Sequence, residues 1–353
     1  MKKIGVLTFH QALNYGALLQ TYALQQYVKQ NVAGVEMEVV DYRCPELSRL
    51  YSVAHQRSGN PVKTVLKTVH FLLKRGAFQD FSKKYIPLSG KTYTPGNIGE
   101  AVAQYDKFIV GSDQVWNPDL TDGDWNYLLE FAPKEKRHSY AASVGRGSLP
   151  PETQERMCRL LEDFQGISLR EETAGRMLEQ MGLTKPISVH IDPVLLLEHQ
   201  DWEALAKNVP ERKEFVLVFT VAKSPVTVDR AVAFAKEHGL EVLYIGQHIR
   251  DNRVKYLPFV SFEKLIALFR DAECVFTNSF HGTVLSVLFE KRFDADAQDT
   301  DGRASRITDL LHKLGLPASG LDGAVDWKRA REILTQQRQQ SKAYLEWIAA
   351  DEN

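Results

Sequence analysis

Residues 4–41 read IGVLTFHQALNYGALLQTYALQQYVKQNVAGVEMEVVD. Residues 4–8 are an apolar run of the length of a buried strand, and a polar stretch, 9–15, follows it. Residues 16–30 then carry Leu19, Ala23, Leu24 and Tyr27 at helical spacing, and 35–41 returns to an apolar run. Strand, loop, amphipathic helix and strand make one βα unit, the element from which parallel sheets are assembled.

The same alternation continues outward. A helix is expected over 62–81, strands over 107–111, 137–143, 166–169 and 187–191, and a helix over 151–163 between two of them. Between 42 and 60 the pattern fades, and a long loop or lid is expected. A helix around Trp202 precedes the polar stretch 207–214, which reads as a linker. A second series follows, with strands over 215–221, 241–246 and 274–277 and helices over 227–238, 261–271 and 283–289. Helices over 306–314 and 326–350 close the chain. At 353 residues the chain exceeds the roughly 250–300 that one core organises. The expected class is therefore α/β with two lobes, 1–206 and 207–325, followed by a helical segment, 326–353.

Composition narrows the functional classes. A formal net charge of -1 offers no electrostatic footprint for a phosphate backbone, so nucleic acid is not an expected partner. Cys44, Cys158 and Cys274 are scattered, without C-x-x-C pairs or nearby histidines, which argues against a disulfide framework or a metal site and for a reducing compartment. His10, Gln11 and Asn14 interrupt the N-terminal apolar run before a signal peptide's core is built. No run approaches the ~20 apolar residues of a membrane span. A cytoplasmic location is expected, with peripheral contact at the inner face of the membrane as the most the sequence allows. Lys74, Arg75, Lys83 and Lys84 form a basic cluster, read either as a solvated helix face or as an approach to an anionic membrane surface. Neither G-x-G-x-x-G nor a P-loop nor G-x-S-x-G occurs.

In open parallel sheets ligands bind beyond the carboxyl ends of the strands. Five loops there carry polar residues that packing does not demand: Asn14-Tyr15-Gly16, Gly111-Ser112-Asp113-Gln114, 143–147 with Ser143 at its start, Ser168-Leu169-Arg170, and Asn278-Ser279-Phe280-His281-Gly282-Thr283. His281 stands beside a helix start, where an imidazole either moves a proton or caps the helix. Arg170 offers a fork for a carboxylate or phosphate, or pairs with Glu171 or Glu172. Asp113 either meets a ligand or caps a helix, and Asp192-Pro193 reads first as a turn.

As an ordered set these loops resemble the polysaccharide pyruvyltransferase family, in the branch that opens with Asn14-Tyr15-Gly16-Ala17. The likeness continues through Gly111 to Asn117, Tyr140 to Gly145, Ser168 to Glu171, Asp192-Pro193 and Thr277 to Thr283, nearly the whole chain. The resemblance implies two Rossmann-like lobes in a glycosyltransferase-B-like arrangement, with the C-terminal helix packing back on the first. It implies phosphoenolpyruvate as donor co-substrate, no cofactor and no metal. It also implies a glycan acceptor, lipid-linked or not, whose paired hydroxyls close a pyruvate ketal. By the same resemblance His281 is the acid–base residue and Arg170 binds the donor's anionic groups. Asn14, Tyr15, Gly16, Ser112, Asp113, Gln114, Ser143, Asn278, Ser279, Phe280, Gly282 and Thr283 line the substrates. Many members carry an arginine and a leucine where this chain has Ser279 and Phe280. Arg146, Arg303 or Arg306, or backbone N–H groups near Thr283, stand as replacements for that cation. A sugar-nucleotide glycosyltransferase and a non-catalytic glycan-binding protein are the alternatives that remain open, because a fold does not fix a function.

Overall fold

The computed structural model describes residues 1–56, 59–297 and 303–350. In chain order the elements are β1 (Lys2–Leu7), α1 (Tyr15–Asn31), β2 (Val35–Tyr42), α2 (Pro45–Leu50), α3 (Pro61–Tyr85), β3 (Leu88–Tyr93), β4 (Lys107–Val110), α4 (Pro118–Thr121), β5 (Arg137–Ser139), α5 (Pro151–Glu162), β6 (Ile167–Leu169), α6 (Glu172–Gln180) and β7 (Ile187–Val189). After these come α7 (His199–Ala206), β8 (Phe215–Phe219), α8 (Pro225–His238), β9 (Glu241–Ile245), β10 (Lys255–Tyr256), α9 (Phe262–Asp271), β11 (Cys274–Thr277), α10 (Phe280–Leu288), β12 (Arg292–Ala295), α11 (Arg303–Leu314) and α12 (Trp327–Ala349). The chain divides into two compact units, Met1–Leu196 with Gln336–Asn353, and Leu197–Thr335.

The first unit is built on a parallel sheet in the order β3-β2-β1-β4-β5, with Ile4 opposite Met37 on one side and Lys107 on the other. Every residue of β4 is buried, as expected of a parallel strand covered on both faces. Beyond β5 the pairing continues through isolated bridges, His138 with Gly166 and Ala142 with Leu169, to the parallel pair β6-β7. The strand expected over 137–143 is regular only at β5, because Ala141 adopts φ 49 and turns the chain out of the ladder.

The end of α12 belongs to this unit. Tyr344 donates to the Ser139 carbonyl at 3.0 Å, and Lys2 and Lys107 reach the Ala350 carbonyl at 2.5 and 3.2 Å, placing cations at a helix C-terminus where the dipole favours them. Gly166 makes the docking possible. A Cβ there would stand 2.5 Å from the Trp347 ring and 2.6 Å from the Tyr344 hydroxyl.

The second unit repeats the plan with a parallel sheet in the order β10-β9-β8-β11-β12. The β8 sequence FVLVF is buried throughout, and its Val216 and Val218 join Val228, Ala231, Tyr244 and Phe276 in one core. Each such side chain contributes about 1.5–3 kcal/mol on burial. The helix α7 packs on α9 and buries Trp202 completely, so the division falls between Leu196 and Leu197, before α7.

Other stretches also differ from the expectation. The region 42–60 holds α2 and a 3-10 turn, Val53–Gln56, where a long loop was expected. The strands β3, β10 and β12 went unforeseen because LSGKTY, KY and RFDA lack an apolar run; all three lie at the edges of their sheets, where polar residues are tolerated, and the outer side of β12 is met by an isolated antiparallel bridge, Asp294 with Ser319.

Candidate functional site

Each sheet reverses its winding once, between β1 and β4 in the first unit and between β8 and β11 in the second. Loops diverge at such a switch point and leave a crevice beyond the strand ends. The Asn14, Ser112 and Asn278 loops all emerge at these two positions.

In the second unit β11 ends at Thr277, whose hydroxyl donates to the Phe219 carbonyl at 2.6 Å and joins the ends of β11 and β8. Asn278 continues the clamp: Val221 N donates to its Oδ1 at 3.0 Å, and its Nδ2 donates to the Ala222 carbonyl at 2.9 Å. Ser279 is the N-cap of α10 and accepts from Gly282 N at 3.3 Å, while the Thr283 hydroxyl donates to the Ser279 carbonyl at 3.1 Å. The capping role that the sequence left open to His281 therefore belongs to Ser279. Gly282 lets the helix approach the strands, since a Cβ there would lie 2.2 Å from Thr277 Oγ1 and 2.9 Å from the Phe219 ring.

This loop places His281 in the first turn of α10, 7% exposed. Its ring stands edge-on to Phe280, with centroids 5.2 Å apart at 87°. The guanidinium of Arg306 on α11, itself buried, lies 6.0 Å from the centroid of the same phenyl ring. An imidazole and a guanidinium thus share one aromatic neighbour at the switch point. The side chain of Arg303 lies outside the described part of the structure.

The first unit treats its arginine differently. Arg170 follows β6, and its side chain is 2% exposed. Its Nε donates to Glu171 Oε1 at 3.0 Å and its Nη1 to Asp192 Oδ2 at 2.8 Å. Ser112 Oγ also donates to Asp192 Oδ2, at 3.1 Å, and Val194 N donates to Asp192 Oδ1 at 3.0 Å. Burial by itself would lower the Arg170 pKa, but the charges of Glu171, Asp192 and Asp113 outweigh it and raise the group above its ordinary value. The guanidinium is permanently charged and already set between carboxylates.

Around that network, Asp113 adopts φ 80, a costly conformation for a residue with a side chain, and its carboxylate accepts from Gln114 N at 2.9 Å. Gln114 Oε1 accepts from Asn117 at 2.8 Å, and Ser143 N donates to the Asp113 carbonyl at 3.0 Å, so Asp113, Gln114 and Ser143 form one connected corner. Asn14 caps α1 by accepting from Gly16 N at 2.9 Å, and Tyr15 packs on Phe78 with centroids 4.8 Å apart. Arg146 pairs with Asp119 at 2.6 Å.

A cavity of about 470 Å³ opens beside α1 in this unit, and sequence reading missed it. Its polar lining includes His10, Gln11, Arg43, Arg75 and Lys83, and its apolar lining includes Leu13, Leu18, Leu47 and Phe78. His10 Nε2 lies 3.0 Å from Asp41 Oδ1, and Arg43 donates to Asp41 Oδ2 at 2.9 Å. Burial would raise the Asp41 carboxyl, but hydrogen bonds from His10, Arg43 and Thr92 hold it well below the usual carboxylate range. The signal in the sequence was the pair of polar residues after β1 and the acid ending β2; what hid it was the separation of about thirty residues between partners that only strand pairing brings together.

Among the described residues no group of three or more histidine, cysteine, aspartate or glutamate side chains is placed to hold a metal ion, and no helix is long and apolar enough to cross a membrane.

Comparison with known proteins adds three findings. The family model described as polysaccharide pyruvyl transferase matches residues 14–293. No curated protein matches the chain. Among solved structures, the S. aureus MnaA–UDP co-structure aligns over 97% of this chain and 91% of that one, at 11% identity and a TM-score of 0.51. The UDP-GlcNAc 2-epimerase from Neisseria meningitidis bound to UDP-GlcNAc aligns over 100% and 95%, at 10% identity and a TM-score of 0.47. The likeness to the first shows the fold: α/β, with two Rossmann-like lobes of the GT-B glycosyltransferase and epimerase kind.

Proposed function

The chain belongs to the polysaccharide pyruvyl transferase family, and from that premise we propose that it moves the enolpyruvyl group of phosphoenolpyruvate onto a sugar of a bacterial surface glycan or its lipid-linked precursor, closing a pyruvate ketal. The observation that carries this reading is that buried His281 and buried Arg306 both meet the ring of Phe280 at the β8/β11 switch point.

Phosphoenolpyruvate becomes electrophilic at C2 once C3 is protonated, because the cation is then shared with the enol oxygen. In the proposed sequence His281 delivers that proton to C3, and a sugar hydroxyl adds to C2 and returns its own proton to His281. A second hydroxyl then attacks C2, the C2–O bond to phosphate breaks, and inorganic phosphate leaves with the second hydroxyl's proton. A positioned general acid of this kind is worth about 10²–10⁴ in rate. The scheme asks for no metal and no cofactor.

Arg306 is assigned to the donor's anionic groups, supplying the cation that Ser279 and Phe280 do not. Arg170 takes a positioning role here: an anion arriving beside it would also meet Glu171 and Asp192, whereas its hold on Ser112 and Asp192 shapes the corner formed by Asp113, Gln114 and Ser143. Ser112, Asp113 and the Asn14 loop of the first unit are proposed as glycan-binding residues.

The test is incubation of the full chain with phosphoenolpyruvate and a panel of candidate glycans, followed by mass spectrometry and a phosphate assay. A pyruvate-ketal mass gain matched by phosphate release is expected. Release of nucleoside diphosphate from sugar nucleotides instead, or glycan binding without turnover, would overturn the assignment.

A further inference from the structure

The helix α3 carries a face that neither core uses. Val62, Val65, Leu66 and Val69 are 69%, 61%, 65% and 50% exposed, and Leu72 and Leu73 are 47% and 56% exposed. At about 100° per residue these six fall within an arc of about 120°. The opposite side of the same helix buries Phe71, Phe78 and Phe81, the latter two against Tyr15 and Tyr22 of α1 at 4.8 and 5.8 Å. A helix ordinarily turns an apolar stripe of that width towards a core. Here the core has its own stripe, and a second one is presented outward.

Charge says what covers it. Lys63, Lys67, Lys74, Arg75, Lys83 and Lys84 lie along α3, against the single acid Asp80. The chain as a whole is close to neutral, so this helix is a local concentration of positive charge. Two copies of so basic a helix would repel each other along their length, which disfavours self-association. At the same 100° per residue Lys63 and Arg75 fall about 60° outside the two edges of the stripe, and Lys83 and Lys84 lie beyond its C-terminal end. An apolar stripe flanked by cations in this way matches the interface of a bilayer with anionic headgroups, where the stripe enters the acyl boundary and the flanking cations stay among the phosphates.

We propose that α3 docks this protein on the surface of an anionic phospholipid bilayer through Val62, Val65, Leu66, Val69, Leu72 and Leu73. Arg75 and Lys83 of the same helix line the 470 Å³ cavity, so docking holds that cavity at the level of lipid phosphates. The inference does not depend on the reaction proposed above.

The test is flotation of the full chain with vesicles of phosphatidylcholine alone and of phosphatidylcholine with phosphatidylglycerol, for the wild type and for the combined variant Leu66→Gln, Val69→Gln, Leu73→Gln. The wild type is expected to float with the anionic vesicles, less so as salt screens the cations, and the variant to lose about tenfold or more of that partitioning. The substituted side chains are exposed, so circular dichroism and thermal unfolding are expected to be unchanged. Phosphate release with a soluble acceptor is also expected to be unchanged, which separates failure of docking from failure of the reaction. Absence of wild-type binding to anionic vesicles, or equal binding by the variant, overturns the proposal. So does a dimer that the variant converts to monomer while neither form floats, which would make the face a contact between copies.

Discussion

Arg170 and His281 are both buried and both stand just beyond the end of a parallel strand, yet their surroundings differ in kind. Arg170 is enclosed by the carboxylates of Glu171 and Asp192, within a corner that also fixes Ser112. His281 stands in the first turn of a helix, edge-on to a phenyl ring that also meets the guanidinium of Arg306. The difference teaches that a charged side chain at a strand end is no ligand site by itself. What decides is whether the fold has already supplied its counter-charges. A neutralised arginine holds structure, whereas the imidazole beside an aromatic and a cation is the group proposed for proton transfer.

The sharpest way to break this comparison is at the histidine. His281→Gln is expected to lower phosphate release from phosphoenolpyruvate by about 10²–10⁴ while the unfolding curve stays in place. Near-normal turnover in the folded variant would move proton transfer elsewhere.

The next effect belongs to the arginine and should appear in stability. Arg170→Met leaves Glu171 and Asp192 buried without their cation, and removing one partner of a buried pair typically costs about 3–5 kcal/mol. Denaturant unfolding is expected to show that loss in the first unit's transition. The variant's KM for phosphoenolpyruvate, measured on the folded fraction, is expected to hold. A large rise in KM without loss of stability would restore Arg170 as a donor ligand.

The smallest effect sharpens the comparison by adding a buried imidazole of the other kind. Burial, assisted by the positive charge of Lys107, pushes His138 down to about 4. It packs against Trp347 with centroids 5.6 Å apart. Because its folded value lies below the unfolded value of about 6.5, the unfolded chain binds the proton more readily. The stability that His138 contributes is therefore present above about pH 6.5 and is lost as pH falls towards 4, roughly 3 kcal/mol in all. Melting temperature measured across that window is expected to fall in the wild type and to fall less in His138→Phe. Equal slopes would assign the acid sensitivity to other groups.

Much of this was legible in the residues themselves. The apolar runs at 4–8, 107–111, 215–221 and 274–277 became the central strands β1, β4, β8 and β11, because a strand covered on both faces must be apolar throughout. Three of the five polar loops, those of Asn14, Ser112 and Asn278, emerge at the two switch points. The edge strands β3 and β12 were not legible, since an edge tolerates Ser, Lys, Arg and Asp. Nor was the apolar stripe of α3, because periodicity shows that a helix has an apolar face but not which way that face turns.

By itself the sequence determined the class of fold, the family and the polar loops at the strand ends, since strand burial, helical period and loop motifs are local properties written in consecutive residues. Only the tertiary structure decided that Arg170 is enclosed by carboxylates, that Ser279 rather than His281 caps α10, and that α3 shows a second apolar face to the outside. The physical reason is the same in each case. Counter-charge, burial and exposure depend on residues distant in the chain, and folding alone determines which of them become neighbours.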